Sequence, residues 1–140
     1  MDRRSAQSIN PGQELPERQL VCDTVQLFFY NAALWNAHRI HFDTPYAKEG
    51  EGYPGLVVAG PLMGDWLTQC VLEWMGEAGE LVSFEFSNRQ AAFVDEPLVS
   101  GGTVRSVDAA SGLVNLDLHI RNAAGEVITP GQAVVRLPVD

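Results

Sequence analysis

Basic side chains are scarce in this 140-residue sequence, and their scarcity excludes some kinds of partner. Lys and Arg together number 9 against 18 Asp and Glu, so the formal net charge is −9 at pH 7. Nucleic acids and anionic lipid surfaces attract proteins through clustered positive charge. The composition therefore argues against general affinity for nucleic acid or for a membrane. An anionic ligand would have to meet a local basic side chain or free backbone N–H groups.

Cysteine and long apolar runs are also scarce. The two cysteines, Cys22 and Cys70, are too few for a disulfide framework or a cysteine-built zinc site. The first twenty residues contain no apolar segment of the kind found in signal peptides. No run approaches the roughly 18 apolar residues of a membrane span. We therefore expect a cytoplasmic protein, kept in a reducing compartment.

The periodicity of apolar residues changes along the chain from helical to strand-like. Residues 1–20 are polar and interrupted by proline, which predicts an N-terminal arm with room for a short first strand, followed by one domain over 21–140. Helical spacing follows in VCDTVQLFFYNAALWN, with Thr24 as its predicted cap. A Gly-, Pro- and charge-rich loop comes next, and loops of such length are often functional. A wide apolar stripe then predicts a core helix that begins at Gly60-Pro61 and ends at Gly76.

From residue 80 onward the apolar period is two. Four alternating runs, separated by turn residues, predict four antiparallel strands. One long helix followed by an antiparallel meander indicates an α+β fold. The most economical packing curves the sheet around the helix at about 60–76, which is a hot-dog architecture. Such a sheet has exposed edges, so we expect a homodimer or a higher oligomer.

The candidate chemistry is concentrated in the loop motif Asn36-Ala37-His38-Arg39-Ile40-His41. Histidine is the side chain whose ordinary pKa suits proton transfer near neutral pH. Hydrogen bonding within the loop is the ordinary alternative for both histidines. A metal site needs at least three ligands, and only Asp43 adds to the pair, so we predict no metal.

The start of the core helix is the second candidate feature. The N-terminus of a helix offers free N–H donors and the positive end of a dipole. Proline at position 61 has no N–H, so the useful donors are those of Gly60, Leu62 or Met63. They predict an oxyanion hole for a carbonyl that gains negative charge, although an ordinary Gly-Pro helix start has the same sequence.

Taken together, these segments resemble the MaoC-like hydratases of the hot-dog superfamily. The similarity is greatest to the branch of type 2 hydroxyacyl-thioester dehydratases and mesaconyl-CoA hydratases. It is carried by FFYNAALWNAHRIHFDTPYA and GYPGLVVAGPLMGDWL, and in pattern by SNRQAAFVDEPLVSGGTV and IRNAAGEVITPGQAVVRLP. The hydratase motif of the wider family reads Asp-x-Asn-Pro-aliphatic-His. Here Asn36 stands in the Asp place, His38 in the Asn place, Arg39 in the Pro place and His41 in the His place.

The resemblance implies hydration of a 2-enoyl thioester or the reverse dehydration, with a CoA thioester as substrate and no further cofactor. His41 is then the residue that moves the proton, and Asn36 orients the water, because an amide forms hydrogen bonds but does not titrate. Gly60 or Leu62 would hold the thioester oxygen. Possible contacts to substrate or CoA are His38, Arg39, Tyr53 and Arg89.

Two other functions stay open at this point. The asparagine in the Asp place is compatible with a non-catalytic hot-dog subunit that binds acyl-CoA or pairs with an active subunit. An acyl-CoA thioesterase shares the fold and commonly has an acidic residue on the core helix, where Asp65 and Glu73 stand. The sequence does not reveal the acyl group, nor whether the thiol carrier is CoA or an acyl-carrier protein.

Overall fold

The computed structural model describes residues 4–140, so the first three residues of the predicted arm lie outside the described part. The helices are α1 (Thr24–Ala33) and α2 (Gly60–Met75). The strands are β1 (Glu14–Leu20), β2 (Glu80–Phe86), β3 (Leu98–Asp108), β4 (Leu113–Arg121) and β5 (Val127–Arg136). The α+β prediction is confirmed, and β1 makes the second half of the predicted arm part of the sheet.

Residues 4–140 form one five-stranded antiparallel sheet with the order β1-β3-β4-β5-β2. Helix α2 contacts all five strands and lies across one face of the sheet. Its apolar residues, among them Leu62, Leu67 and Val71, are buried against that face. The predicted core helix is therefore confirmed.

Local sequence signals account for both ends of the helices. Helix α2 starts with proline at its second residue and ends at Gly76, whose φ of 75° suits glycine. The predicted cap of α1 was wrong by one residue. Asp23, not Thr24, is the N-cap, because its carboxylate accepts a hydrogen bond of 2.7 Å from the Gln26 N–H.

Strand β4 follows the predicted alternation, and β2 does not. In β4, Val114, Leu116, Leu118 and Ile120 are buried toward α2. In β2, the pairing with β5 shifts between Leu81 and Ser83, which is the signature of a bulge. The shift leaves Leu81 and Phe84 packed on the core and Val82 exposed. Phe86 lies on the same face as Phe84, with its ring against Gly64 of α2, and is partly exposed at the edge. As β2 is an edge strand, its outer side has no strand partner in the described structure.

Candidate active site

The His-containing loop is held against the segment that leads into α2. Residues Arg39–His41 form a short 3-10 turn, and His38 caps it by accepting a hydrogen bond from the Ile40 N–H at 3.4 Å. The Ile40 carbonyl in turn accepts from the Val57 N–H at 3.0 Å. Because Val57 lies only three residues before Gly60, these bonds bring the loop to the start of α2.

His41 is buried, with 7% of its surface exposed, and its Nδ1 lies 2.6 Å from the Val57 carbonyl oxygen. A carbonyl only accepts hydrogen bonds, so Nδ1 must carry the hydrogen. In the neutral ring, Nε2 then has a free lone pair. Burial lowers the pKa of His41, and the nearby His38 lowers it further. The hydrogen bond to the Val57 carbonyl acts in the opposite direction but does not cancel the effect of burial. The ring is therefore neutral near pH 7, with Nε2 available to accept a proton.

His41 and Gly60 line the same cavity, which has a volume of about 350 Å³. Its wall is made by the His-containing loop, the start of α2 and the segment after β2: Ile40, His41, Val57, Val58, Gly60, Met63, Asn88, Arg89, Gln90, Ala91 and Ala92. A titratable base and a helix N-terminus thus share one largely apolar space. Such a cavity suits a small ligand.

Two of the predicted N–H donors at the start of α2, those of Gly60 and Leu62, are not equivalent. The Leu62 N–H donates to the Ala59 carbonyl at 3.0 Å and is therefore occupied. Across residues 4–140 the Gly60 N–H has no acceptor. Ala59, the N-cap residue, has no polar side chain to supply one. Of these two, the Gly60 N–H is the donor that remains free for a ligand.

Asn36 does not line the cavity that holds His41. It lines a separate, smaller cavity of about 200 Å³ with Phe28, Asn31, Ala32 and Phe42. The Asn36 Oδ1 accepts a hydrogen bond of 3.2 Å from the His38 N–H. In this arrangement the amide fixes the backbone of the loop just before the 3-10 turn.

Three predicted contact residues also lie outside the cavity. His38 is exposed, with its ring centroid 5.8 Å from that of His41. Arg39 donates two hydrogen bonds to the Asp43 carboxylate, at 2.7 and 3.0 Å. Its guanidinium stacks on Tyr46, with Cζ 4.3 Å from the ring centroid. The two hydrogen bonds lower the pKa of Asp43 and engage Arg39 within the loop. The Tyr53 ring packs near the Phe93 ring, with 6.1 Å between the two ring centroids.

Arg89 is the predicted contact residue that does line the cavity. Its side chain is exposed and forms no ion pair with any carboxylate of the described chain. A guanidinium without a partner at the cavity rim is suited to an anionic group. In a protein of net charge −9, this local cation is the kind of group that an anion would require.

Sequence reasoning missed Asn88, the polar neighbour of Gly60. Its side chain comes so close that a Cβ built on Gly60 would lie 2.7 Å from the Asn88 Nδ2. The only hint in the sequence is the polar run Ser87–Gln90, which interrupts the alternation after β2. That pattern is equally typical of a solvated loop, so periodicity alone does not single out this residue.

The acidic residues of α2 are engaged away from the cavity. The Tyr30 hydroxyl donates to Asp65 at 2.6 Å. Burial raises the pKa of Tyr30, and this hydrogen bond raises it further. Glu73 pairs with Arg18 at 3.5 Å. Neither carboxylate lines the cavity of His41, so the arrangement gives no support to a thioesterase that uses them.

Residues 4–140 contain no cluster of three His, Cys, Asp or Glu side chains placed to hold a metal ion. Within the same range, no helix combines the length and the apolar character needed to cross a membrane. Both cysteine thiols are free and buried, and burial raises the pKa of Cys22 to about 11.

Comparison with known families identifies the chain. The model of the family "hydroxyacyl-thioester dehydratase type 2" matches residues 1–94, which include the His-containing loop, α2 and β2. The chain belongs to this family. The resemblance noted in the sequence is thereby confirmed.

Two curated relatives fit this family assignment. A mesaconyl-C(4)-CoA hydratase from Chloroflexus aurantiacus is 40% identical over 83 residues, which are 59% of this chain and 29% of that protein. A mitochondrial type 2 hydroxyacyl-thioester dehydratase from Schizosaccharomyces pombe is 38% identical over 79 residues, or 53% of this chain and 25% of that protein. The chain thus spans between a quarter and a third of the length of these relatives.

Solved structures confirm the hot-dog fold over nearly the whole chain. An (R)-hydratase from A. caviae superposes with a TM-score of 0.85 at 19% identity, covering 94% of this chain and 99% of that one. A MaoC-like dehydratase superposes with a TM-score of 0.88 at 21% identity, covering 96% of this chain and 42% of that one. These likenesses extend through β3, β4 and β5, beyond the region that the family model matches. At such identities they establish the fold alone.

Proposed function

We propose that the protein is a hydro-lyase that adds water across the C2–C3 double bond of a 2-enoyl thioester, or removes it from the 3-hydroxyacyl thioester. The observation that carries this proposal is that His41, with a free Nε2 lone pair, shares one cavity with the unoccupied N–H of Gly60. Family membership and the names of the two curated relatives support the same reaction class.

In the hydration direction, Nε2 of His41 takes a proton from water as its oxygen attacks C3. The C2–C3 π electrons move toward the thioester carbonyl, whose oxygen becomes enolate-like. The Gly60 N–H, at the positive end of the α2 dipole, stabilises that oxygen. The imidazolium of His41 then returns its proton to C2. Water is consumed, the thioester bond is kept and the base is regenerated, so no cofactor is required.

The position of Asn36 gives no support to its predicted role of orienting water, because it lines a separate cavity and its Oδ1 accepts a hydrogen bond from the His38 N–H. An amide can hold a water molecule but cannot deprotonate it, so the base function rests on His41 alone. The position of Asn36 outside the His41 cavity also favours a second candidate, a non-catalytic hot-dog subunit that binds acyl thioesters or pairs with an active chain.

For the thiol carrier, we propose that Arg89 meets a phosphate of CoA or of a phosphopantetheine arm. Its exposed guanidinium lies at the cavity and has no carboxylate partner in the part of the chain described. Phosphate is a common ligand of guanidinium groups because two parallel N–H groups fit two phosphate oxygens. Arg39 is a weaker candidate, since Asp43 already occupies its donors.

We also propose a homodimer, with the apolar surface of α1 and the following loop covered by the second copy. Six large apolar side chains are exposed there, from 49% for Phe42 to 91% for Trp35; the others are Val25, Phe28, Phe29 and Leu34. Exposed apolar patches of this kind mark interaction surfaces in folded proteins. The open edge of β2, with Val82 exposed beside it, offers a further contact. A cytoplasmic location stays a prediction.

Light scattering during size exclusion tests the dimer. We expect wild type at twice the chain mass and Trp35→Ser at a lower average mass. Val139→Ser, which changes an exposed apolar residue outside the patch, should leave the mass unchanged. A monomeric wild type would overturn the proposed assembly.

The reaction is tested by following the absorbance of the enoyl-thioester band with crotonyl-CoA and mesaconyl-CoA. Wild type should bleach the band of at least one substrate without releasing free thiol, and His41→Ala should not. Thiol release would indicate a thioesterase. If wild type leaves both substrates unchanged but acyl-CoA raises its melting temperature, the non-catalytic subunit becomes the better description, because a ligand of the folded state stabilises it.

A further inference from the structure

We propose that the Asn88 carboxamide is a second hydrogen-bond donor to the thioester oxygen, acting beside the Gly60 N–H. This inference rests on the proposed function, because it assigns a catalytic contact within the same cavity. It adds a residue from the segment after β2 to a site otherwise made by the loop and α2.

The position of the Asn88 amide is the first argument. Its Nδ2 lies 2.7 Å from the point that a Cβ on Gly60 would occupy, so the amide packs directly against the first residue of α2. Asn88, Gly60 and His41 all line the same cavity. A ligand oxygen held at the Gly60 N–H is therefore next to the Asn88 amide.

The orientation of the amide is the second argument. The Thr129 hydroxyl donates to the Asn88 Oδ1 at 3.0 Å, and Thr129 is fully buried in β5. This bond leaves both hydrogens of Nδ2 directed elsewhere, and they meet no acceptor within residues 4–140. A free pair of N–H groups beside another free N–H is an arrangement that attracts an oxygen bearing negative charge.

The backbone around Asn88 is the third argument, since it fixes the amide before any ligand arrives. The residue before it, Ser87, donates its N–H to the Pro130 carbonyl at 3.1 Å. The residue after it, Arg89, donates to the Ile128 carbonyl at 2.9 Å. Asn88 thus sits between two backbone bonds to β5, and a preorganised donor is what stabilisation of a developing charge requires.

The same geometry explains why residue 60 is glycine. An alanine there would bring its Cβ within 2.7 Å of Nδ2, a distance at which the amide must move. Gly60→Ala should therefore act through Asn88, by displacing its donor. The two substitutions are expected to be non-additive, because both remove the same contact.

The test compares wild type, Asn88→Ala, Gly60→Ala, the double variant and Thr129→Val in the enoyl-thioester absorbance assay. Loss of one oxyanion-hole donor lowers kcat by about 100- to 1,000-fold, so we expect Asn88→Ala to fall in or near that range with little change in KM. Gly60→Ala in the Asn88→Ala background should add less than it does in wild type. Thr129→Val, which removes only the anchor of the amide, should give a smaller loss.

A control and a spectroscopic measurement separate this contact from a structural role. Asn115→Ala removes a half-buried asparagine outside the cavity, one that bonds Ser106 across β3 and β4, and should leave kcat unchanged. The carbonyl stretch of bound enoyl-CoA, followed by Raman difference spectroscopy, should move toward its value in solution in Asn88→Ala, because a hydrogen bond has been lost.

Each outcome decides one of the two proposals. If wild type is active and His41→Ala is inactive, but Asn88→Ala matches wild type in kcat and in carbonyl frequency, the role of Asn88 is overturned and the reaction stands. If wild type hydrates no enoyl thioester, the proposed function fails and this inference fails with it. A loss of kcat without a carbonyl shift would also count against the contact.

Discussion

The two ring nitrogens of His41 have separate roles, and one substitution separates them. In His41→Asn, the amide nitrogen takes the place of Nδ1 and still donates to the Val57 carbonyl, but no atom replaces Nε2. We expect kcat for enoyl-thioester hydration to fall by about 100- to 10,000-fold, the usual contribution of a general base. At 1.36 kcal/mol per factor of ten, this loss is about 2.7–5.4 kcal/mol of transition-state stabilisation.

The stability of the variants gives the complementary measurement. His41→Ala leaves the Val57 carbonyl, a group on a buried residue, without its donor. An unsatisfied buried acceptor costs about 1–3 kcal/mol in the free energy of unfolding. His41→Asn retains the bond and should lose less. Urea denaturation measures both values, and the absorbance assay measures both rates.

Two results would contradict these roles of the ring nitrogens. If His41→Asn were as unstable as His41→Ala, the Nδ1 bond would not be what holds the ring. If His41→Asn hydrated substrate at the rate of wild type, Nε2 would not be the base. Either result would remove the assignment of tautomer on which the mechanism depends.

The pH dependence follows from the same tautomer. The base must be neutral, and burial places the pKa of His41 below the ordinary value of 6.5. We expect kcat/KM to be level above pH 6.5 and to fall only below it. The unfolded chain binds this proton at higher pH than the folded one, so folded-state stability from His41 is full above pH 6.5 and is lost as pH falls through the lower, folded value. An activity that rose on acidification from pH 8 to 6 would contradict a neutral base.

A control is needed for the stability profile, because His119 titrates in the same direction. It lies on the β4 face turned away from α2, and burial lowers its pKa as well. His119→Gln should therefore flatten part of the acid loss of stability. It should leave the pH profile of kcat/KM unchanged.

The remaining predictions concern carrier binding, capping and packing. Arg89→Ala should raise KM for acyl-CoA with kcat nearly unchanged, as steady-state kinetics would show. Arg39→Ala should leave KM unchanged and cost little stability in a urea melt, since its ion pair is exposed. Asp23→Ala should cost about 1 kcal/mol by removing the N-cap of α1, read from the urea midpoint. Gly64→Ala places a Cβ 2.4 Å from the ring of Phe86 in β2 and should lower the free energy of unfolding by about 1–3 kcal/mol. Gly55→Ala, with open space around it, is its control and should melt like wild type.

Signals that depend only on neighbouring residues were readable in the sequence. The Gly-Pro start and Gly76 end of α2 fix its limits, because each acts through the backbone of one turn. The alternation of β4 predicted its buried face correctly, because that strand lies inside the sheet and the irregularities of its two ladders fall in the partner strands β3 and β5. The loop motif and the helix start were also sufficient to choose His41 and Gly60 as candidates, and the family comparison agrees with the resemblance they carry.

Features that depend on residues far apart in the chain were decided by the tertiary structure. The bulge in β2 arises from its pairing with β5, about fifty residues later, and it changed which side chains face the core. Asn88 joins the site because Thr129, 41 residues away, holds its amide beside Gly60. Asn36 belongs to the same six-residue motif as His41, yet the two side chains line different cavities. Spacing along the chain reports periodicity and turns, but only the packed sheet and helix determine which side chains share a cavity.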